Sequence, residues 1–318
     1  MSSITSSVGT VERQLSPRVL VAVVVTIIAW ASAFIVIRGT GPYFTGGGLA
    51  LGRLLVGTIL LGVVVLIGRR WVAPTAREWL LVVAFGVFWF GAYNIALNIA
   101  EQTLDAGTTA MIVGIGPILI ALGAGIFLRE GIHKWVAIGA GVAFIGVILI
   151  GISTGGSVVG HGTGVLWALL AAVTYAGGVL FQKPVLARLP NAQVTFLGCA
   201  IGMVACLPFT GDLLAGIADA PPQALLGVVW LGAIPTALGF STWAYALYRM
   251  PAGQLGIATY VVPPLTIVLG LLFFREVPAV LAIVGGIVCL VGVAVSRRRT
   301  RVTVTNPGVS APGKNMAE

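Results

Sequence analysis

The stretch from Pro117 to Val147 is written twice in this chain. It returns as Pro263 to Val293, at a constant offset of 146 residues. At that offset Pro117, Phe127, Arg129, Glu130, Gly139, Gly146 and Val147 meet Pro263, Phe273, Arg275, Glu276, Gly285, Gly292 and Val293. Upstream, Ala106-Gly107 meet Ala252-Gly253 in the same register. Each copy reads as a Pro-bearing apolar helix, an Arg-Glu corner and a Gly-rich apolar helix. Self-similarity at nearly half the chain length means that one fold unit has been duplicated, a pattern that marks membrane transporters.

Composition says what solvent this duplicated unit folds in. The chain is 58% hydrophobic and 8% charged over 318 residues, with a mean hydropathy of +1.07. Soluble domains carry about 25% charge, so the expectation is an all-α integral membrane protein. Ten apolar spans can be read, at 18–38, 45–68, 78–100, 106–128, 133–152, 162–182, 192–209, 223–247, 252–274 and 278–296. Most reach the ~20 residues that cross ~30 Å of hydrocarbon. Residues 18–152 form the first five-helix repeat and 162–296 the second. A polar tail, 1–17, precedes them, and a basic, disordered tail, 297–318, follows.

The +9 net charge would suit nucleic acid, but its placement argues against that partner. With the N-terminus inside, all of the 18 Lys and Arg residues except Arg38, Arg53 and Arg275 fall on the cytoplasmic side. That bias fixes orientation, and it predicts a multi-pass protein of the cytoplasmic membrane with both termini inside. Five spans per half is an odd number, so the second half must enter upside down. The two halves are therefore expected to be inverted repeats about an axis in the membrane plane. At each corner Arg is read as closing one helix and Glu as opening the next, which suits the helix dipole.

No cofactor or metal motif is present. Cys199, Cys206 and Cys289 lie in apolar runs without ligand spacing, and His133 and His161 are predicted on opposite sides. Gly48-xxx-Gly52 and Gly198-xxx-Gly202 allow close helix approach, for internal packing or for a homodimer.

Polar groups inside hydrocarbon are costly and mark bundle interiors or pathways. Asn94 and Asn98 lie one turn apart in span 3, beside Tyr93, with Glu101 and Asp105 continuing that side outward. Thr236 follows Pro235 in span 8. Trp30, Tyr175, Trp243 and Tyr260 sit at mid-span, away from the interfacial belt, where their polar atoms need a partner or a wet cavity. These residues are expected to line a substrate pathway; for Asn94 and Asn98, hydrogen bonding between helices is the equal alternative. Pro263-Pro264 in span 9 and Gly114-Ile115-Gly116-Pro117 in span 4 interrupt corresponding helices, which points to a transporter site. Arg53 is the one charge well inside a span. Pairing with Glu101, ahead of Asp105, is the expectation for it; a site for a substrate carboxylate is the alternative.

Together these residues resemble the drug/metabolite transporter superfamily, EamA type. Trp30 followed by Arg38, Arg53 early in span 2, and Pro117 to Glu130 match that family's features. Tyr175 with Lys183, and Pro263 to Glu276, repeat them in the second half. Gly198 stands where a counterpart of Arg53 would be. The resemblance covers about residues 18–296. It implies a ten-helix secondary transporter, commonly an exporter of amino acids or other small metabolites, working by alternating access. An integral-membrane enzyme acting on a lipid-linked substrate would need convergent acid, base or metal groups. A passive channel would need a marked filter.

Overall fold

The computed structural model describes residues 16–127, 134–153, 161–250 and 252–296, all helix and connection with no strand among them. Six helices are long and apolar enough to cross a membrane, and four shorter apolar ones complete a set of ten. Spans 1 to 3 are Pro17–Thr40, Gly46–Gly68 and Ala76–Thr103. Span 4 is broken into Ala106–Val113 and Gly116–Phe127. Spans 5 and 6 are Lys134–Ser153 and His161–Val185. Spans 7 and 8 are Asn191–Asp219 and Pro222–Arg249. Span 9 comprises Ala252–Ala258, a 3-10 turn at Thr259–Val261, and Val262–Phe274. Span 10 is Val280–Ser296. The tails, Arg129-Glu130 and His133 lie outside the described residues.

Local chemistry sets the ends. Thr75 and Glu78 form a reciprocal capping box at the start of span 3, satisfying two donors that a helix start leaves open. Thr45 accepts from Gly48 N, and Asp105 from Thr108 N, at the starts of spans 2 and 4. Span 7 runs past the sequence-expected end at 209. A 3-10 turn at Leu207–Phe209 absorbs Pro208, and the helix resumes over Thr210–Asp219. Its Gly216 packs on Phe44 and the Tyr43 carbonyl.

The two halves are related by an inverting pseudo-two-fold, visible in reciprocal contacts. Gly139 and Gly146 of span 5 correspond to Gly285 and Gly292 of span 10. A Cβ on Gly285 would lie 2.7 Å from the Gly146 carbonyl oxygen, and one on Gly292 would lie 2.6 Å from that of Gly139. Spans 2 and 8 repeat the arrangement of spans 7 and 3. A Cβ on Gly232 would lie 2.7 Å from the Arg53 carbonyl oxygen, and one on Gly86 would lie 2.7 Å from that of Gly198. The glycines of both GxxxG pairs are used inside the chain: Gly48 meets Leu213, Gly52 meets Val228, Gly198 meets Phe85 and Gly202 meets Phe90.

The outward face is apolar. Leu66, Ile67, Leu80, Leu272 and Phe273 are each more than two-thirds exposed, as a surface bathed in lipid requires. The chain is thus a multi-pass membrane protein.

One corner differs from expectation. Arg275 caps span 9 in the left-handed conformation, φ 55°, but Glu276 does not open span 10, which begins at Val280. Glu276 reaches back instead to Arg38 at the end of span 1, with Nε donating to Oε1 at 2.7 Å.

Candidate functional site

Spans 3 and 8 each contain a wide, π-helical segment, Gly86–Ala92 and Gly232–Gly239. These begin at the same place in the two halves, 146 residues apart. Such segments are rare and often sit at functional sites. Spans 4 and 9 are broken at matching points as well, after Val113 and at Thr259–Val261. Three of these four stretches line one central cavity, and Thr236 of the fourth stands behind Arg53.

The cavity holds about 50 Å³ accessible to the centre of a water molecule, and about 10–15 Å³ suffices for one water. Both halves line it. Trp30, Ala33 and Phe34 come from span 1, Arg53 from span 2, and Trp89, Tyr93 and Leu97 from span 3. Span 4 gives Ala110, Val113, Gly114 and Pro117, and span 6 gives Tyr175. Phe240 comes from span 8, and Thr259, Val262 and Pro263 from span 9. The breaks face one another: a Cβ on Gly114 would lie 3.5 Å from Pro263 Cγ, and one on Gly256 3.3 Å from Pro117 Cβ. Gly116 leaves room for Tyr175, whose Cδ1 would lie 2.4 Å from an added Cβ.

Aromatic rings build one wall. The Trp30 ring centroid is 4.9 Å from Trp243, 5.5 Å from Phe240, 6.2 Å from Trp89 and 6.4 Å from Tyr175. Most of these pairs meet edge-to-face or tilted, the arrangement favoured by ring quadrupoles. The indole nitrogens of Trp30 and Trp243 have no hydrogen-bond partner among the described residues.

The other wall carries a charge. Arg53 is 2% exposed, and its Nε donates to Thr236 Oγ1 at 3.1 Å. Thr236 in turn donates to the Leu231 carbonyl at 2.7 Å, five residues back, a reach that the π turn makes possible. Arg53 Nη1 has no partner among the described residues.

The expected pairing of Arg53 with Glu101 is not formed. Among the described residues the ion pairs are Arg38–Glu276 and Arg188–Glu78. Asp105 is committed to its cap, accepting from Thr108 N at 2.8 Å and Thr108 Oγ1 at 2.5 Å. Depth along the helix axis placed Arg53 and Glu101 at compatible levels, but Arg53 turns toward span 8. Glu101 is buried and does not line the cavity, and both its carboxyl oxygens lack a hydrogen-bond partner among the described residues. Its carbonyl accepts from Arg38 Nη1 at 3.1 Å.

The structure brings Trp30, Tyr93, Tyr175, Arg53, Gly114, Pro117 and Pro263 to the cavity, with Thr236 behind Arg53 and Trp243 behind Trp30. Asn94 and Asn98 stand elsewhere. Asn94 Nδ2 donates to the Phe90 carbonyl at 2.7 Å, closing the π segment of span 3. Asn98 Nδ2 donates to the Gly46 carbonyl at 2.9 Å, tying span 3 to span 2. Both serve backbone carbonyls rather than the cavity. Tyr260 packs in a second core cluster beside the cavity wall, and Pro264 faces outward. Trp89 and Phe240 were not anticipated. A mid-span Trp at 89 carried the same signal as Trp30, but Asn94 and Asn98 drew attention to the other side of the helix.

A profile described as "EamA-like transporter family" matches residues 17–152 and again 162–298. The chain belongs to the EamA-like transporter family. Its relatives within the drug/metabolite transporter superfamily include a "Probable terminal-alkyne amino-acid exporter" of Streptantibioticus cattleyicolor. That protein is 34% identical, over 90% of this chain and 97% of the relative. "Uncharacterized transporter YdfC" of Bacillus subtilis is 31% identical over 88% and 91%. A "Probable amino-acid metabolite efflux pump" of Salmonella typhimurium is 25% identical over 67% and 77%. A protein of known crystal structure shares the EamA-like fold, with TM-score 0.60 at 18% identity over 88% of this chain and 97% of that one.

Proposed function

We propose that this EamA-like transporter is a secondary exporter of a small amino-acid-type metabolite across the cytoplasmic membrane. The observation that carries the reading is the central cavity, lined from both inverted halves beside paired helix irregularities. A site at the junction of inverted repeats can be opened to either side by rocking one half against the other. The Arg38–Glu276 pair, which joins span 1 to the end of span 9, suits a closure of the outer side. The aromatic wall suits an apolar side chain, and the names of two relatives specify amino-acid-type cargo. The basic bias of the connections supports a cytoplasmic location for both termini.

The test is flux in proteoliposomes loaded with radiolabelled amino acids. Saturable efflux, with counterflow when unlabelled substrate is placed outside, is the expected result. Non-saturating flux would favour a channel, and chemical turnover of a lipid-linked compound would favour an enzyme.

A further inference from the structure

We propose that Arg53 grips the carboxylate of the transported molecule, so that the site takes amino acids with the carboxylate at span 2 and the rest of the molecule against the rings. This deepens the exporter reading and rests on it. Arg53 is the one cation among the described residues that line the cavity, and burial of a guanidinium without a counter-ion is costly. No carboxylate among the described residues lies within ion-pair distance of it. The cost is offset if an anion arrives with the substrate.

The geometry around Arg53 is that of a positioned donor. Its Nε is fixed on Thr236 Oγ1. The Thr236 proton is itself committed to the Leu231 carbonyl, so the hydroxyl lone pair is aimed at Arg53. Nε is held in this way, Nη1 is buried without a partner among the described residues, and the side chain lines the cavity; a carboxylate is the group that the planar guanidinium matches. Across the cavity, Trp30, Trp89 and Tyr175 offer ring faces and edges but no carboxylate. An ammonium group is accommodated there by cation–π attraction, and an apolar side chain by contact. Thr236 is thus a positioning residue, acting through Arg53.

The symmetry mate of Arg53 supports a dedicated role. Gly198 occupies the corresponding place in span 7, and the ring of Phe85 fills the space beside it: Cε1 would lie 2.3 Å from an added Cβ. The fold therefore builds this corner without an arginine in the second half. A guanidinium is not required by the packing of spans 2 and 8 as such.

The experiment uses the full chain, purified in detergent, with binding read by ligand protection against thermal unfolding. The ligands are L-phenylalanine and L-propargylglycine, their amides, their decarboxylated amines, and 3-phenylpropanoate. For the unaltered protein we expect the amides and amines to bind at least tenfold more weakly than the acids, and 3-phenylpropanoate to retain binding. In Arg53→Gln the acid and its amide should become equivalent; Arg53→Lys should recover part of the preference. Thr236→Val should weaken the acids several-fold and leave the amides unchanged, a difference that a general loss of packing would not produce. Equal binding of acid and amide to the unaltered protein overturns the role of Arg53 while leaving the exporter reading intact. A folded Arg53→Gln protein that still prefers the acid overturns it too. If Arg53→Gln does not fold, the ligand series on the unaltered protein still decides. If none of these compounds protects, the amino-acid reading falls and the proposal falls with it.

Discussion

At Gly86–Ala92 and at Gly232–Gly239 the backbone makes the same wide turn, but the side chains set on it differ. Trp89 and Phe90 stand in the first segment where Pro235 and Thr236 stand in the second. The first segment delivers a ring to the cavity wall. The second delivers a hydroxyl to Arg53. The partners differ in step: Arg53 packs at Gly232, whereas Gly198 with Phe85 beside it packs at Gly86. Backbone symmetry is what rocking of inverted halves needs. Chemical asymmetry is what a site needs if it is to hold a molecule with two unlike ends in one orientation.

The largest expected effect tests the shared backbone. A Cβ at Gly232 would sit 2.4 Å from Val56 Cβ, and one at Gly86 2.8 Å from Ile201 Cβ. Gly232→Val and Gly86→Val should therefore damage the fold alike, by about 1–3 kcal/mol or more, the usual range for overpacking. Thermal unfolding of the purified variants reads this. A tolerated substitution in one half and a ruinous one in the other would break the symmetry argument.

Next comes Asn98→Ala, which leaves the Gly46 carbonyl without the donor it has now. The expected loss is about 1–3 kcal/mol of stability, with substrate affinity unchanged in whatever protein folds. A fully stable variant with lost affinity would return Asn98 to the cavity wall.

The Arg38–Glu276 corner gives a smaller effect. Arg38 and Glu276 are partly exposed, 33% and 23% by side chain, so solvent screening limits the pair to about 0–1 kcal/mol. Glu276→Gln should hardly move the melting temperature. It should, however, raise labelling from outside of a cysteine placed at Ala33, measured with an impermeant thiol reagent in intact cells. Unchanged labelling would remove this pair as the outer closure.

The smallest effect is expected at Pro235. Span 3 forms its π segment with Trp89 at the matching place, so proline is not what causes the wide turn. Pro235→Ala should keep the five-residue bond from Thr236 to Leu231 in an experimental structure, with little change in stability. Reversion to an ordinary helix would show that the two segments arise differently.

These outcomes bear on what the sequence makes legible. Duplication, apolar run length and an odd number of spans per half were enough for ten helices in two inverted repeats, and the paired breaks at Gly114–Pro117 and Pro263 were readable from glycine and proline. Trp30, Tyr175 and Arg53 were readable as mid-span residues that the bilayer would not tolerate without a reason. The π segments were not, because Gly86–Ala92 contains neither proline nor a polar side chain, and a shift in hydrogen-bond register leaves no mark in hydropathy. Asn94 and Asn98 read equally as cavity lining and as glue between helices, because polarity in a span shows that a partner is needed without showing which. Their partners are main-chain carbonyls. The Arg53 pairing misled for a related reason: position along a helix sets height in the membrane, whereas the facing helix is set by packing.

A π segment amounts to one residue added to a helical turn. Here the addition occurs at the same point of both five-helix units, although the residues around it have since diverged. Such a coincidence is what the copying of a unit that already carried the insertion leaves behind. The phase change that the insertion imposes on the rest of the helix was thus inherited ready-made by both descendants. What came afterwards was recruitment: one descendant furnished it with indole and phenyl rings, and the other with a threonine that could serve an arginine across the seam.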